Sequence, residues 1–320
     1  MSREPIVAVT GATGFLGLHL IAALASAGAR VRLLARRPPA HEFWSGLDVD
    51  VVPGGLEDGE ALERLAGGAD ALIHAAGLIK APDRRTFMRT NRDGTHALAR
   101  TLRRLAPDAR LIVISSLAAR EPQLSDYAAS KRAGEEAARA VYADADGQLT
   151  ILRPPMIYGP WDRETLAIFK AASRPVVPLV GHGRLAAIHV TDAAAALTAI
   201  ALAPVPLGGT YALADTRPAG YAMADMLLEA ARAVGRTTPP RLLPIPGAVL
   251  QAAGHASSWW GAIRGGSPIF TAGKAREIRH PDWTVAPGEL LPAEVHQSTI
   301  GLADGFRDTA AWYRTAGWLS

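Results

Sequence analysis

The stretch Thr10-Gly11-Ala12-Thr13-Gly14-Phe15-Leu16-Gly17 constrains this chain more than any other. Four apolar residues, Ile6-Val7-Ala8-Val9, lead into it, and an apolar helix predicted over 18–27 leaves it. Strand, three glycines and helix in that order make a turn that holds a pyrophosphate. The first glycine permits the tight turn and the second lets the backbone approach the phosphates. The third lets the helix pack on the sheet with its N-terminus toward the anion. The turn therefore predicts a dinucleotide site with contacts from Gly11, Thr13, Gly14, Phe15, Leu16 and Gly17.

Further apolar strands are predicted over 30–35, 49–52, 71–74, 111–114 and 149–153, alternating with helical segments. That alternation is the pattern of a parallel sheet covered by helices on both faces. The second strand runs into Arg36-Arg37, with no Asp or Glu at its end. In dinucleotide folds this place lies beside the adenosine ribose, where a carboxylate suits the 2′-hydroxyl of NAD and a guanidinium suits the 2′-phosphate of NADP. NADPH is therefore expected in preference to NAD, held by Arg36 with Arg37 assisting. Leu56 and Ala75-Ala76-Gly77 follow the third and fourth strands and are expected along the same cofactor. Small residues there let it pass close to the backbone. His74 lies within an apolar strand and reads as a packed structural histidine. A helix predicted over 87–105 carries Asn91, which reads equally as a cofactor neighbour and as an internal tie.

The strand 111–114 delivers Ser115-Ser116 at its carboxyl end, the edge where open α/β sheets place their ligands. Tyr127 and Lys131 follow, four residues apart on a predicted helix, and so share one face. A phenol, with an ordinary pKa of about 10, moves a proton near neutrality only when its anion is stabilised, and a neighbouring ammonium does that. A seryl hydroxyl can then hold a substrate oxygen while Tyr127 moves the proton.

Together with Arg153-Pro154-Pro155-Met156-Ile157-Tyr158-Gly159-Pro160 and Ile188-His189-Val190-Thr191-Asp192, these motifs resemble the extended short-chain dehydrogenase/reductase family over most of the chain. The resemblance implies an α/β fold, a Rossmann-type doubly wound parallel sheet with a smaller C-terminal substrate domain. It implies catalytic roles for Ser116, Tyr127 and Lys131, with Ser115 as the alternative serine. Cofactor contacts extend, on the same ground, to Asn91, Tyr127, Lys131, Pro154 and Met156. The expected division is an NADP-binding domain over 1–160, to which 186–214 return, and a substrate-binding region over 161–320. A homodimer through the helices carrying Asn91 and Tyr127 is implied as well. Gly55 is a departure, since many relatives carry Asp beside the adenine.

Relatives acting on nucleotide sugars commonly carry Asn where Met156 stands, and a thioether does not replace its amide. Nucleotide-sugar dehydratases carry an acidic pair where this chain reads Ser116-Leu117-Ala118. Both differences point to an apolar carbonyl substrate. The form of 152–159 is similar to the hydroxysteroid and dihydroflavonol branch. The apolar, Trp-rich final part, including Trp259-Trp260, is similar to bacterial enzymes that reduce long-chain keto-sphingolipids. The expected reaction is NADPH-dependent reduction of a ketone on a ceramide-like lipid. Two alternatives stand beside it: a nucleotide-sugar epimerase with retained NAD, and a non-catalytic NADP-binding regulator. The presence of Ser, Tyr and Lys together speaks against the second.

The 320 residues include no cysteine, which excludes disulfides, thiolate catalysis and Cys-based zinc sites. No metal site is expected, since His280 has no second ligand at suitable spacing. The N-terminus lacks a signal-peptide pattern and no run of about 18 apolar residues occurs, so a cytoplasmic location is expected. A lipid substrate would place the protein at the inner face of the membrane, with peripheral contact. The net charge of +4 is spread along the chain, so a small-molecule or lipid substrate is expected and a nucleic acid is not.

Overall fold

The computed structural model describes residues 3–37, 41–264 and 270–319, without the side chains of 42, 146 and 258–264. Trp259 and Trp260, named above in the Trp-rich final part, therefore have side chains outside the described residues. The apolar runs form β1 (Ile6–Thr10), β2 (Arg30–Ala35), β3 (Val49–Pro53), β4 (Ala71–His74), β5 (Arg110–Ile114) and β6 (Leu149–Arg153). Between them lie α1 (Phe15–Ser26), α2 (Gly59–Ala66), α3 (Arg84–Met88), α4 (Gly94–Leu105) and α5 (Asp126–Val141). With the strand Gly209–Ala212 at one edge, the sheet order continues β6, β5, β4, β1, β2, β3. The pairings from β6 through to β3 are parallel.

Val7, Val9, Leu33, Leu72, Ile73 and Ile112 are fully buried. Near-continuous apolar strands of this kind are what a sheet covered on both faces requires. The chain winds from β1 through β2 to β3 on one side, then crosses to β4 on the other side of β1. The gap between β1 and β4, where strand order reverses, is where such sheets bind ligands.

Two helices begin earlier than the sequence pattern suggests, and caps explain both. Gly14 caps α1, its carbonyl accepting the Leu18 N–H at 2.9 Å. Asp83 caps α3, its carboxylate accepting the Thr86 N–H at 2.7 Å, which holds Asp83 below the usual carboxylate range. α3 runs through a widened π turn, Arg89–Asp93, straight into α4.

The chain divides into two units. The first holds Met1–Arg153, Ala194–Tyr211 and Leu291–Gln297; the second holds Pro154–Ala193, Ala212–Leu290 and Ser298–Ser320. In the second, Met156–Tyr158 pairs in parallel with Ala187–His189, and Val176–Leu179 with Arg241–Pro244. Its core is aromatic, with Phe306 lying 4.9 Å from both Tyr158 and Phe169, ring centre to ring centre. No helix among the described residues is long and apolar enough to cross a membrane.

One ion pair ties α5 to the sheet. Glu135 is fully buried and accepts both Arg153 Nε at 2.8 Å and Arg153 Nη2 at 2.7 Å. The Ser115 hydroxyl donates to the same carboxylate at 2.6 Å. Burial pushes the Glu135 pKa up, but Arg153, Ser115 and Arg139 outweigh it and hold it below the ordinary value. Its stabilising contribution is thus present above the unfolded-state pKa and is lost as pH falls through the lower folded one. Glu135→Ala is expected to destabilise the protein by about 3–5 kcal/mol, because it removes the buried carboxylate that balances the mostly buried charge of Arg153. Urea unfolding of the variant checks this, and a loss near zero would deny the pair its structural role.

Candidate active site

Four strand ends and one helix face enclose a cleft of about 910 Å3 in the first unit. Gly11, Thr13 and Gly14 form one wall, Ala35 and Arg36 a second, and Ala75, Ala76 and Gly77 a third. Gly11 has φ +75°, and a Cβ there would lie 2.5 Å from Ala76 N and 2.6 Å from Ala75 C. No other residue satisfies both that backbone conformation and that approach. A Cβ on Gly17 would strike the Gly11 carbonyl oxygen, so α1 closes on the turn only with glycine there.

Beneath the cleft runs a buried relay whose proton directions are forced. Ala76 N–H donates to Thr10 Oγ1 at 3.2 Å, and Thr10 Oγ1 lies 2.7 Å from His74 Nδ1. His74 Nε2 lies 2.9 Å from Thr95 Oγ1, which donates to the Asn91 carbonyl at 2.7 Å. The Thr95 hydroxyl proton is committed to Asn91, so His74 must donate through Nε2 and accept at Nδ1. Burial, together with the Lys131 charge, lowers its pKa to about 3. His74 is a neutral structural link, as its apolar strand suggests. The Asn91 side chain accepts from Leu78 N at 2.8 Å and donates to Leu78 O at 3.0 Å and to Ser130 Oγ at 2.9 Å.

The two serines differ sharply. Ser115 is buried with its hydroxyl proton on Glu135, whereas Ser116 is half-buried at the mouth of a 3₁₀ turn, Leu117–Arg120. Ser116 Oγ accepts Ala118 N–H at 3.2 Å, which leaves its own proton to give. Ser125 caps α5 by accepting Ala128 N–H at 2.9 Å, so Tyr127 and Lys131 fall on its first two turns. The Tyr127 ring sits 6.2 Å from that of Phe87. Lys131 Nζ donates to the last carbonyl of β5, Ile114 O, at 2.5 Å. A Cβ on the cleft residue Gly77 would be 3.6 Å from that ammonium. Burial lowers the Lys131 pKa to about 8, with Glu135 opposing the shift.

Residues 7–214 match the sequence profile of the NAD dependent epimerase/dehydratase family. The chain belongs to that family. The chain is 49% identical to a protein named ceramide reductase from Caulobacter vibrioides, over 98% of this chain and 96% of the relative. In fold it is similar to the solved protein gox2253, with TM-score 0.75, 23% identity and coverage of 99% and 100%. It is also similar to the Thermus thermophilus UDP-glucose 4-epimerase solved with NAD, with TM-score 0.70, 22% identity and coverage of 97% and 99%. As a member of this extended short-chain dehydrogenase/reductase family, the protein is an NAD(P)-dependent oxidoreductase and a reductase.

The residues present fit such a dinucleotide. The glycine turn lines a large cleft beside the N-terminus of α1, and two guanidinium groups that line it, Arg36 and Arg89, have no carboxylate partner among the described residues. Of the contacts expected in the family, Gly11, Thr13, Gly14, Arg36, Leu56, Ala75, Ala76 and Gly77 line the cleft. Phe15, Leu16 and Gly17 lie on the helix behind it, and Arg37 is exposed and does not line it. Ser116, Asn91, Tyr127 and Lys131 are not among its lining, and Pro154 and Met156 belong to the second unit.

Arg89, Asp93 and Glu57 were not foreseen. Arg89 and Asp93 face the cleft from the π turn, which no apolar spacing announces. Glu57 lines it beside Gly55, where a Cβ would lie 2.5 Å from Glu57 Oε1. A carboxylate thus stands at the corner that Gly55 leaves without one. For His74, ¹⁵N spectra are expected to show the neutral Nε2–H tautomer from neutrality down to about pH 4. An imidazolium forming near pH 6 would break the directional relay described above.

Proposed function

We propose that this protein reduces the ketone of a long-chain, sphingolipid-type lipid to a secondary alcohol, with NADPH as the reductant. The observation that carries the reading is the 49% identity, over nearly both whole chains, with the Caulobacter ceramide reductase. The NADPH preference is supported by Arg36 in the cleft at the end of β2, with no acid on that strand end. Glu57, beside Gly55, suits an amino group of the adenine.

The chemistry supplied by the bound cofactor is hydride transfer to the carbonyl carbon. The protein's own groups handle the oxygen. The Ser116 hydroxyl, with its proton uncommitted, donates to the carbonyl oxygen and Tyr127 passes it the proton. The Lys131 ammonium stabilises the phenolate that results, its orientation fixed by the Ile114 carbonyl. Ser115 is a positioning residue, bonded to Glu135 and through it to Arg153.

Incubation of the purified protein with NADPH and a long-chain keto-sphingolipid, with the alcohol product followed by mass spectrometry, tests the reading. Tightly retained NAD⁺ together with turnover of a nucleotide sugar would replace it with epimerisation. Tyr127→Phe is expected to lower kcat about 10²–10⁴-fold while NADPH affinity changes little. Arg36→Ser is expected to weaken NADPH by about tenfold or more and to leave NADH almost unchanged, as read by fluorescence titration of both cofactors. Reduction should also fall as pH rises through about 8, where the lowered Lys131 pKa removes the ammonium beside Tyr127. A rate flat to about pH 10 would detach Lys131 from the proton path.

A further inference from the structure

The second unit exposes an apolar stretch that water does not explain. In the pair of strands Val176–Leu179 and Arg241–Pro244, Val176 stands opposite Arg241 and Pro178 opposite Leu243. All four are exposed, Val176 by 48% and Leu243 by 49%, while the alternate residue Val177 is buried. The chain then enters the helix Gly247–Arg264. There Val249, Ala252, Ala253 and Ala256 are all exposed, at the i, i+3, i+4, i+7 spacing of one helix face. Leu250 and Gly254 are buried, and a Cβ on Gly254 would lie 3.1 Å from Ala275 Cβ of the helix Ala272–Arg279. The helix therefore packs inward through Leu250 and Gly254 and turns an uncharged apolar face outward. A helix face left to water is ordinarily polar.

The charge around this stretch is one-sided. No Asp or Glu occurs over 165–191 or over 236–276, which carry three and five Lys or Arg respectively. Arg174 and Arg241, both exposed, have no carboxylate partner among the described residues. An apolar face carried on two basic stretches that hold no acid complements an anionic bilayer, where arginines meet headgroups and alkyl groups enter the acyl boundary.

We propose that the stretch from Arg241 to Ala256, with Val176 and Arg174, docks the protein on an anionic lipid bilayer, the helix lying in the plane of the interface. None of its residues lines the cleft, and the proposal does not depend on the substrate proposed above, because docking is read without catalysis.

Flotation with vesicles of phosphatidylcholine mixed with phosphatidylglycerol, against phosphatidylcholine alone, tests it. The full chain is expected to float with the anionic vesicles only, and to be released by high salt. The double variant Leu243→Asp with Val249→Asp should lower the bound fraction about tenfold, and Arg174→Gln with Arg241→Gln should weaken binding at low salt. Both variants should retain the wild-type thermal midpoint and NADPH affinity, since the replaced residues are exposed and outside the cleft. Failure of the wild-type protein to float, or equal flotation of the Asp variant, would overturn the proposal. So would a dimer in light scattering, seen without vesicle binding and broken by the Asp variant, which would give the face to a second copy of the chain.

Discussion

The cofactor side of this protein depends on one backbone-to-backbone approach. The turn after β1 must pass over the end of β4, and at Gly11 the two chains come so close that a single methyl group would overlap Ala75 and Ala76. The adjoining residue, Thr10, uses the same proximity in another way. It accepts the Ala76 amide and gives its proton to His74, which leads through Thr95 to the π turn before α4. Floor, turn and helix are therefore one hydrogen-bonded piece. Each polar group in it has a partner, so the piece is rigid, and rigidity is what lets backbone amides hold a charged ligand without reorganising.

A second constraint runs along α5. Tyr127, Lys131, Glu135 and Arg139 recur at intervals of four and so form one row on the helix. Glu135 anchors the row to Arg153 and takes the proton of Ser115. That commitment is what separates the two serines, because it leaves Ser116 alone with a hydroxyl proton to offer. The same carboxylate acts on Lys131, opposing the burial that lowers its pKa. A structural ion pair thus bears on the acid strength of the row that the family's chemistry uses.

Much of this was legible in the sequence because it rests on local patterns. Strand, glycine turn and helix announce the fold. Apolar runs place the strands to within a residue or two, and a four-residue spacing puts Tyr127 and Lys131 on one face. The different hydrogen bonding of Ser115 and Ser116 was not legible, since it turns on Glu135, twenty residues away and brought to Ser115 by the fold. Arg89 and Glu57 escaped for the same reason. One reaches the cleft by the register of a π turn and the other by folding back over Gly55, and neither has a periodicity to betray it. The early starts of α1 and α3 follow from caps at Gly14 and Asp83, which apolar periodicity does not register.

The motif Ile188-His189-Val190-Thr191-Asp192 reads in the sequence as part of the family's signature, and its physical work is architectural. Asp192 is buried at the start of the helix Val190–Leu202 and accepts the Thr299 and Ile300 amides at 3.0 and 2.9 Å. It thereby fixes the segment that leads into the last helix, Leu302–Thr315, whose Phe306 packs on Tyr158. Asp215 is treated alike, held by Arg217 N and the Tyr221 hydroxyl, each at 2.8 Å, while burial raises its pKa. Asp192 and Asp215 are thus spent inside the unit, on amides and a hydroxyl, and the acids at its surface, such as Asp304 and Asp308, lie outside the two long stretches that carry none. The exposed apolar stretch is therefore carried on chain whose charged side chains are all Lys or Arg. Carboxylates placed where they hold the core are thereby kept off the stretch whose apolar side chains face water.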